Sequence, residues 1–368
     1  MIDEASSRHS EFLQTQSGTI IEPSGAKVIL FGVNEFNEWW SSFESYYEAP
    51  IGRKLIYAAS DDEEHHLGTD TSYEIPKWFG KKTVFRRMNT RWITMGWGVN
   101  APLDARIQSP CHDLLGAGFA LAHYEHQNGK RYQMEWRQLN SEFIKLDFTE
   151  KLDEIPLAPK AVMPAWVLNR EHSDVTTTSL EHEIDLRSFG FFKGQERAMF
   201  LPVSVFYRLY YSVLGRPFQA GLKWSNTLHI EGLDHSSTSL VEALSESSAL
   251  MFKSSDYTIF VQTQSDWEAH IKTRISSRGF GTVTVEEFVA GSSPSVRMSL
   301  NSPLPGLALG LLISMWERAH GAPCSSEVIF NTESALIYLH PRKVEYISKT
   351  YSTVLSASIY LPIFGQGL

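Results

Sequence analysis

Cysteine is the scarcest of the chemically informative residues in this 368-residue chain, present only as Cys111 and Cys324. Two isolated thiols make neither a disulfide framework nor a cysteine-built zinc site, and a reducing, cytoplasmic setting is expected. Long apolar runs are missing too. The longest, over residues 304–316, contains Pro305 and falls short of the ~20 residues of a membrane span, so it reads as a buried helix. The first ten residues carry Asp3, Glu4 and Arg8 without an apolar stretch and do not read as a secretory signal. Positive charge is also in deficit: 33 Lys and Arg face 42 Asp and Glu, giving a net charge of −9. No basic stripe compensates locally, so a nucleic-acid partner is not expected.

Catalytic signatures are equally sparse. No Gly-x-Ser-x-Gly element occurs, and no motif pairs a histidine with a carboxylate or gives a cysteine an activating neighbour. Gly80-Lys81-Lys82-Thr83 resembles the end of a phosphate-binding loop, but Ile75 stands where the leading glycine must be. The Gly-aromatic-Gly elements lack the third glycine of a dinucleotide fold and read as turns entering strands. Asp153 and Glu154 are sequence neighbours that point apart on a helix. No catalytic residue and no cofactor are expected.

What is present is a foldable composition, 42% hydrophobic and 20% charged, over a length that suits two domains. Self-similarity organises it. Residues 27–36 match 197–206 at a constant offset of 170, each reading as a strand that enters a helix capped by Asn34 or Ser204. Phe36, Trp39, Trp40 and Phe43 in one helix, and Phe206, Leu209, Tyr210 and Val213 in the other, fall at helical spacing. Gly96-Trp97-Gly98 then matches Gly279-Phe280-Gly281, each leading through strand-like residues to a Ser-Pro step at Ser109-Pro110 or Ser302-Pro303. Small-residue helices follow at 114–128 and 307–320, with Glu125 and Glu317 at equivalent places, and both end in a glycine suited to the left-handed C-cap, Gly129 and Gly321. A hairpin closes each unit, over 132–137 with 143–148 and over 327–330 with 335–339.

This order predicts an α+β fold, a mostly antiparallel sheet with packed helices, present as two tandem copies. The first copy spans 1–148, a connector rich in proline and polar residues 149–183, and the second copy 184–368. In the last segment, alternating apolar residues after Val344 suggest a terminal edge strand limited by Pro362.

An apolar strand entering an aromatic helix, then Gly-aromatic-Gly, a hairpin, Ser-Pro and a small-residue helix before a final hairpin resembles the vinyl-4-reductase domain. That family is related in fold to the sensor domains of aromatic-responsive activators and to TRAPP core subunits. The resemblance covers roughly 18–148 and 188–340 and is cleaner in the second stretch, where Arg278-Gly279-Phe280-Gly281 and Asn301-Ser302-Pro303 stand together. It implies domains that pair through their helices, here as a pseudo-dimer within one chain, and an interior that can hold a small apolar molecule. Family members place metal-binding cysteines around the last hairpin; the corresponding residues 133–146 and 326–339 hold none, so that site is not carried over.

The implied function is a non-catalytic, small hydrophobic ligand-binding or regulatory protein that acts through a separate partner. A structural adaptor resembling TRAPP subunits and an accessory or reductase role in tetrapyrrole metabolism are the alternatives. The chain is expected to be a monomer with internal pseudo-twofold symmetry. Trp40, Tyr47, Trp97, Tyr210, Trp224 and Phe280 are the candidate ligand-lining aromatics, although aromatics at helical spacing also simply fill cores. Cys111, His112, His123 and His126 form a possible metal cluster, with the polar histidines read as lying near an exposed helix end and no metal expected. Asp61-Asp62-Glu63-Glu64-His65-His66 reads as a solvated acidic loop or helix end, without the spacing or glycine of a calcium loop.

Overall fold

The computed structural model describes residues 2–101, 105–152, 156–167, 177–180, 184–220, 228–332 and 334–342. Trp224, Asp153 with Glu154, and the expected edge strand after Val344 lie outside them. The chain begins with α1 (Ile2–His9) and short strands β1 (Leu13–Thr15) and β2 (Ile20–Ile21). Strand β3 (Lys27–Gly32) buries its four central residues and runs directly into α2 (Val33–Ser45). Helices α3 (Gly52–Thr69) and α4 (Lys81–Met95), hairpin β4 (Val99–Ala101) with β5 (Arg106–Gln108), α5 (Asp113–Asn128), β6 (Tyr132–Gln138) and β7 (Phe143–Glu150) follow.

The predicted connector contributes β8 (Thr177–Ser179), which pairs with β1, and buries Trp166 and Val167. It is therefore part of the packed structure. Beyond it come β9 (Asp185–Arg187), β10 (Gly190–Lys193) and β11 (Glu196–Pro202), then α6 (Val203–Val213) and β12 (Leu228–Glu231). Helices α7 (His235–Lys253) and α8 (Gln264–Arg274) lead to β13 (Thr282–Val289), β14 (Ser295–Asn301), α9 (Pro305–His320), β15 (Cys324–Phe330) and β16 (Ala335–Pro341).

The architecture is α+β, with packed helices and three sheets. The seven-stranded sheet runs β8-β1-β2-β3-β11-β10-β9, the five-stranded β12-β15-β16-β14-β13, and the four-stranded β4-β5-β7-β6. Pairing among the described residues is antiparallel except between β12 and β15. At the middle of the first sheet β3 lies against β11 with Leu30 opposite Phe200. One apolar cluster runs continuously from Phe12 to Leu339, so residues on both sides of the connector share a core.

Local sequence explains most element ends. Gly129 and Gly321 take φ near +62° and close α5 and α9, as their position after the last apolar turn predicts. The expected caps differ. Because each strand passes straight into its helix, α2 and α6 begin at Val33 and Val203, which places Asn34 and Ser204 inside the first turn. Glu35 Oε2 instead accepts the Gly32 N–H at 3.1 Å, the carboxylate half of a capping box.

Small residues set the helix packing. α3 packs on α5 and α7 on α9, where a Cβ at Gly118 would overlap the Ile56 carbonyl and one at Gly310 the Ser245 carbonyl. α2 packs on α7, and α3 on α6.

Candidate functional site

Five buried polar side chains from a hairpin turn and three helices form one network centred on Arg91. Glu22 precedes the turn into β3, Glu63 lies on α3, Arg91 and Trp92 on α4, and His123 on α5. Arg91 Nε donates to both Glu63 oxygens, at 3.0 and 3.1 Å, and Arg91 Nη1 donates to Glu22 Oε2 at 2.7 Å. Its guanidinium also lies 5.3 Å from the Trp97 ring centroid, a cation–π contact. These charges are out of water: Glu63 is 1% exposed. Desolvation of this kind costs several kcal/mol per ion and is offset only by near-complete pairing, which each carboxylate finds in Arg91.

Burial alone would raise both carboxylates, but Arg91 holds Glu22 and Glu63 well below the ordinary range. The His123 ring is pushed down by burial against the pull of Glu63, so it is neutral at pH 7. His123 Nε2 lies 2.9 Å from Glu63 Oε1, an ionised oxygen that can only accept, so Nε2 carries the proton and donates to it, while Trp92 Nε1, 3.2 Å from Nδ1 and 3.3 Å from Nε2, donates to the unprotonated Nδ1. Both imidazole nitrogens are thereby engaged, and the ring offers no lone pair to a substrate.

Above this network opens a pocket of about 260 Å³ whose wall includes Arg8, Glu11, Glu22, His66, Asp70 and Arg91. His66 directs Nδ1 toward Glu22 Oε1, 3.7 Å away, while its buried Nε2 has no hydrogen-bond partner. Burial, reinforced by Arg91, lowers the His66 pKa, so Nε2 presents an unused acceptor at neutral pH.

The run at 61–66 is thus not a solvated helix end. It lies within the C-terminal half of α3, and Asp62 and Glu63 face the interior, because packing against α5 and α6 covers that side of the helix. Asp62 is paired with Arg208 of α6, Nε to Oδ1 at 3.3 Å. Burial outweighs that pairing and the Ser204 hydrogen bond, pushing the carboxyl up to about 6. A folded-state value above the ordinary 3.8 means that ionised Asp62 penalises the fold fully above about pH 6 and not below about 4. Asp62→Asn should therefore stabilise the protein by at most about 3 kcal/mol at pH 8, and the gain should vanish by pH 4 in parallel urea titrations.

The four possible metal ligands on and before α5 separate. Cys111 and His112 line a groove of about 820 Å³ at the helix start, whereas His123 lies eleven residues on, about 16 Å along the axis. His123 is fully buried rather than near an exposed end, and His126 Nε2 donates to the Tyr73 carbonyl at 2.8 Å. Among the described residues no group of three or more His, Cys, Asp or Glu is placed to hold a metal. Burial pushes both the Cys111 and Cys324 thiols up to about 12, far from thiolate at neutral pH.

The candidate aromatics are buried. Trp97 stacks on Phe119 at 3.7 Å and donates Nε1 to the Phe200 carbonyl at 2.9 Å, spanning from the turn after α4 to β11. Phe280 meets Phe31 edge-on at 5.8 Å, and Trp40 packs between Trp39, Phe43 and His112. Tyr47 and Tyr210 are brought near one another; their buried hydroxyls have no partner, and burial raises both pKa values, with the neighbouring Tyr207 and then Tyr47 adding to the shift at Tyr210.

Glu22, Glu63 and Arg91 are the site residues that motif reading misses. For Glu63 and Arg91 the signal is register: Glu63 shares the buried face of α3 with Ile56 and Ala59, and Arg91 that of α4 with Val84 and Met88, so a charge stands where periodicity demands an apolar residue. No helix among the described residues is long and apolar enough to cross a membrane. Comparison with family models, curated proteins and solved structures yields no match to this chain.

Proposed function

We propose that this chain is a ligand-binding regulatory protein, built as an intramolecular pseudo-dimer of two vinyl-4-reductase-like units, that takes a small polar molecule in the cleft above Arg91. The observation carrying the ligand reading is His66, whose Nε2 is a buried acceptor without a partner and whose side chain lines a pocket walled by three acidic and two basic side chains. Such a wall favours a ligand that donates hydrogen bonds, an amine or a hydroxyl compound. The apolar ligand expected from the aromatic stock is less suited, since Trp40, Trp97 and Phe280 are buried and already in contact with other rings.

Several correspondences support the pseudo-dimer. Leu30 and Phe200, opposite one another in β3 and β11, are separated by the offset of 170 that relates the sequence matches. The strand order β4-β5-β7-β6 has its counterpart in β13-β14-β16-β15, with β12 added. Gly96 abuts the Ala198 carbonyl on β11, and Gly279 abuts the Val28 carbonyl on β3. Glu125 accepts the Tyr132 N–H at 2.7 Å and Glu317 the Cys324 N–H at 3.1 Å, each fastening a helix to the following hairpin.

Thermal unfolding against a panel of small amines, amino acids and polyols tests the ligand claim. A binder should raise the midpoint with concentration. His66→Phe, which keeps a ring but removes the acceptor, should abolish the shift while leaving the unliganded midpoint nearly unchanged. A panel without effect, or a shift that survives the substitution, rejects the cleft.

One observation favours the adaptor reading: Trp78 and Phe79, adjacent in the loop before α4, are 87% and 90% exposed. Solvent-exposed neighbouring aromatics of this size mark a docking point for a partner. Capture of a partner by the wild type and not by a Trp78→Ser, Phe79→Ser variant would support it.

A further inference from the structure

A second pocket of about 260 Å³ lies where β3 and the start of α2 meet β10, β11 and α8. Its wall carries three cations, Lys193, Arg274 and Arg278, against two carboxylates, Glu35 and Glu196. Arg278 is already committed: its guanidinium forms a short bidentate contact with Glu35, and Nε donates to the Leu30 carbonyl at 3.1 Å. Glu35 in turn accepts the Gly32 N–H and the Tyr257 hydroxyl. That subset is neutral and satisfied.

The remaining cations are not. Arg274 lies flat on the Tyr257 ring, 3.5 Å from its centroid, and its buried Nε has no acceptor. The half-buried Lys193 shares the wall, and Glu196, the other acid, is an exposed residue at the rim. Two cations with unused donors thus face a cavity large enough for a small oxyanion. Guanidinium held flat against an aromatic ring leaves its edge free for planar or tetrahedral oxygen acceptors.

We propose that this pocket binds a small oxyanion, a phosphate or carboxylate group, held by Lys193 and Arg274 with Arg278 behind them. A bound anion would tie β3 and α2 to β10, β11 and α8, and so fasten together segments drawn from the two halves of the chain. The amine of Lys193 is held down to about 8, first by burial and then by the two guanidiniums, so an incoming anion should draw a proton onto it. Binding should weaken as pH rises through about 8. This site is separate from the Arg91 cleft and stands or falls independently of it.

Isothermal titration of the full-length protein with inorganic phosphate and, in parallel, with acetate tests the proposal, using chloride at matched ionic strength as reference. One saturable site per chain is expected for at least one oxyanion, with net proton uptake near pH 8 read from the dependence on buffer ionisation heat. Lys193→Met and Arg274→Leu should each weaken it roughly tenfold or more, whereas His66→Phe should leave it unchanged. Phosphate alone binding identifies a phosphate group as the ligand, acetate alone a carboxylate. Heats indistinguishable from chloride, or binding unaffected in both substituted proteins that retain the wild-type circular dichroism, overturn it.

Discussion

Replacing Arg91 by methionine should cost about 3–5 kcal/mol of folding stability, because it leaves Glu22 and Glu63 buried with no cation between them. The loss comes from the carboxylates left behind, not from the guanidinium itself. Converting Glu22 and Glu63 to glutamine in the same protein should therefore return most of the stability, since a neutral set no longer carries the desolvation penalty. Urea denaturation of the single and triple variants at pH 7 measures both effects. Acid should mimic the single substitution in part. Both carboxylates have folded-state values below the ordinary 4.5, so their contribution is complete above that pH and is lost as the pH falls below it. A single variant as stable as the wild type would show that water reaches the network.

The second large effect is expected at the glycines that let one segment press against the central strand of the other. Gly96 has φ +78° and would place a Cβ 2.5 Å from the Ala198 carbonyl oxygen; Gly279 has φ +89° and would place one 2.6 Å from that of Val28. Alanine at either position meets two penalties, roughly 1–2 kcal/mol for the left-handed backbone and roughly 1–3 kcal/mol for displacing the strand. Gly129 supplies the control, with φ +62° and open space around it, so Gly129→Ala should show the backbone penalty alone. Comparable losses at Gly96 and Gly279, both exceeding that at Gly129, are the expected result in thermal or chemical denaturation. Equal losses at all three would mean that the strands yield without cost.

The sequence makes the elements legible and leaves their partners hidden, for a physical reason visible at these glycines. Gly96 and Gly279 are readable as turn residues because a positive φ is a local requirement, but which backbone presses on them depends on the pairing of β3 with β11, a contact across 170 residues. The closing hairpins and the C-caps Gly129 and Gly321 are local in the same way and emerge where periodicity places them. The connector is harder: β8 has only three residues, and its polar Thr177–Ser179 composition gives no sign that it completes a sheet edge beside β1.

The cleft was the least visible part. Glu22, Glu63, Arg91 and His123 come from four separate elements, and a run such as Asp61-Asp62-Glu63-Glu64 has the composition of a solvated surface. Only its position on the face shared with Ile56 and Ala59 opposes that reading. Tyr47 and Tyr210, chosen from the aromatic stock, do come together, but with buried hydroxyls that lack partners. Aromatic content alone could not tell a pocket from a core, because both need large apolar surfaces.

Native mass spectrometry of the full-length protein, purified without denaturant and compared with the His66→Phe variant, tests the central claim most directly. The account predicts a single chain carrying one small polar amine or hydroxyl compound, and an empty chain when the His66 acceptor is gone. Empty chains in both preparations, assembled into oligomers, would contradict it.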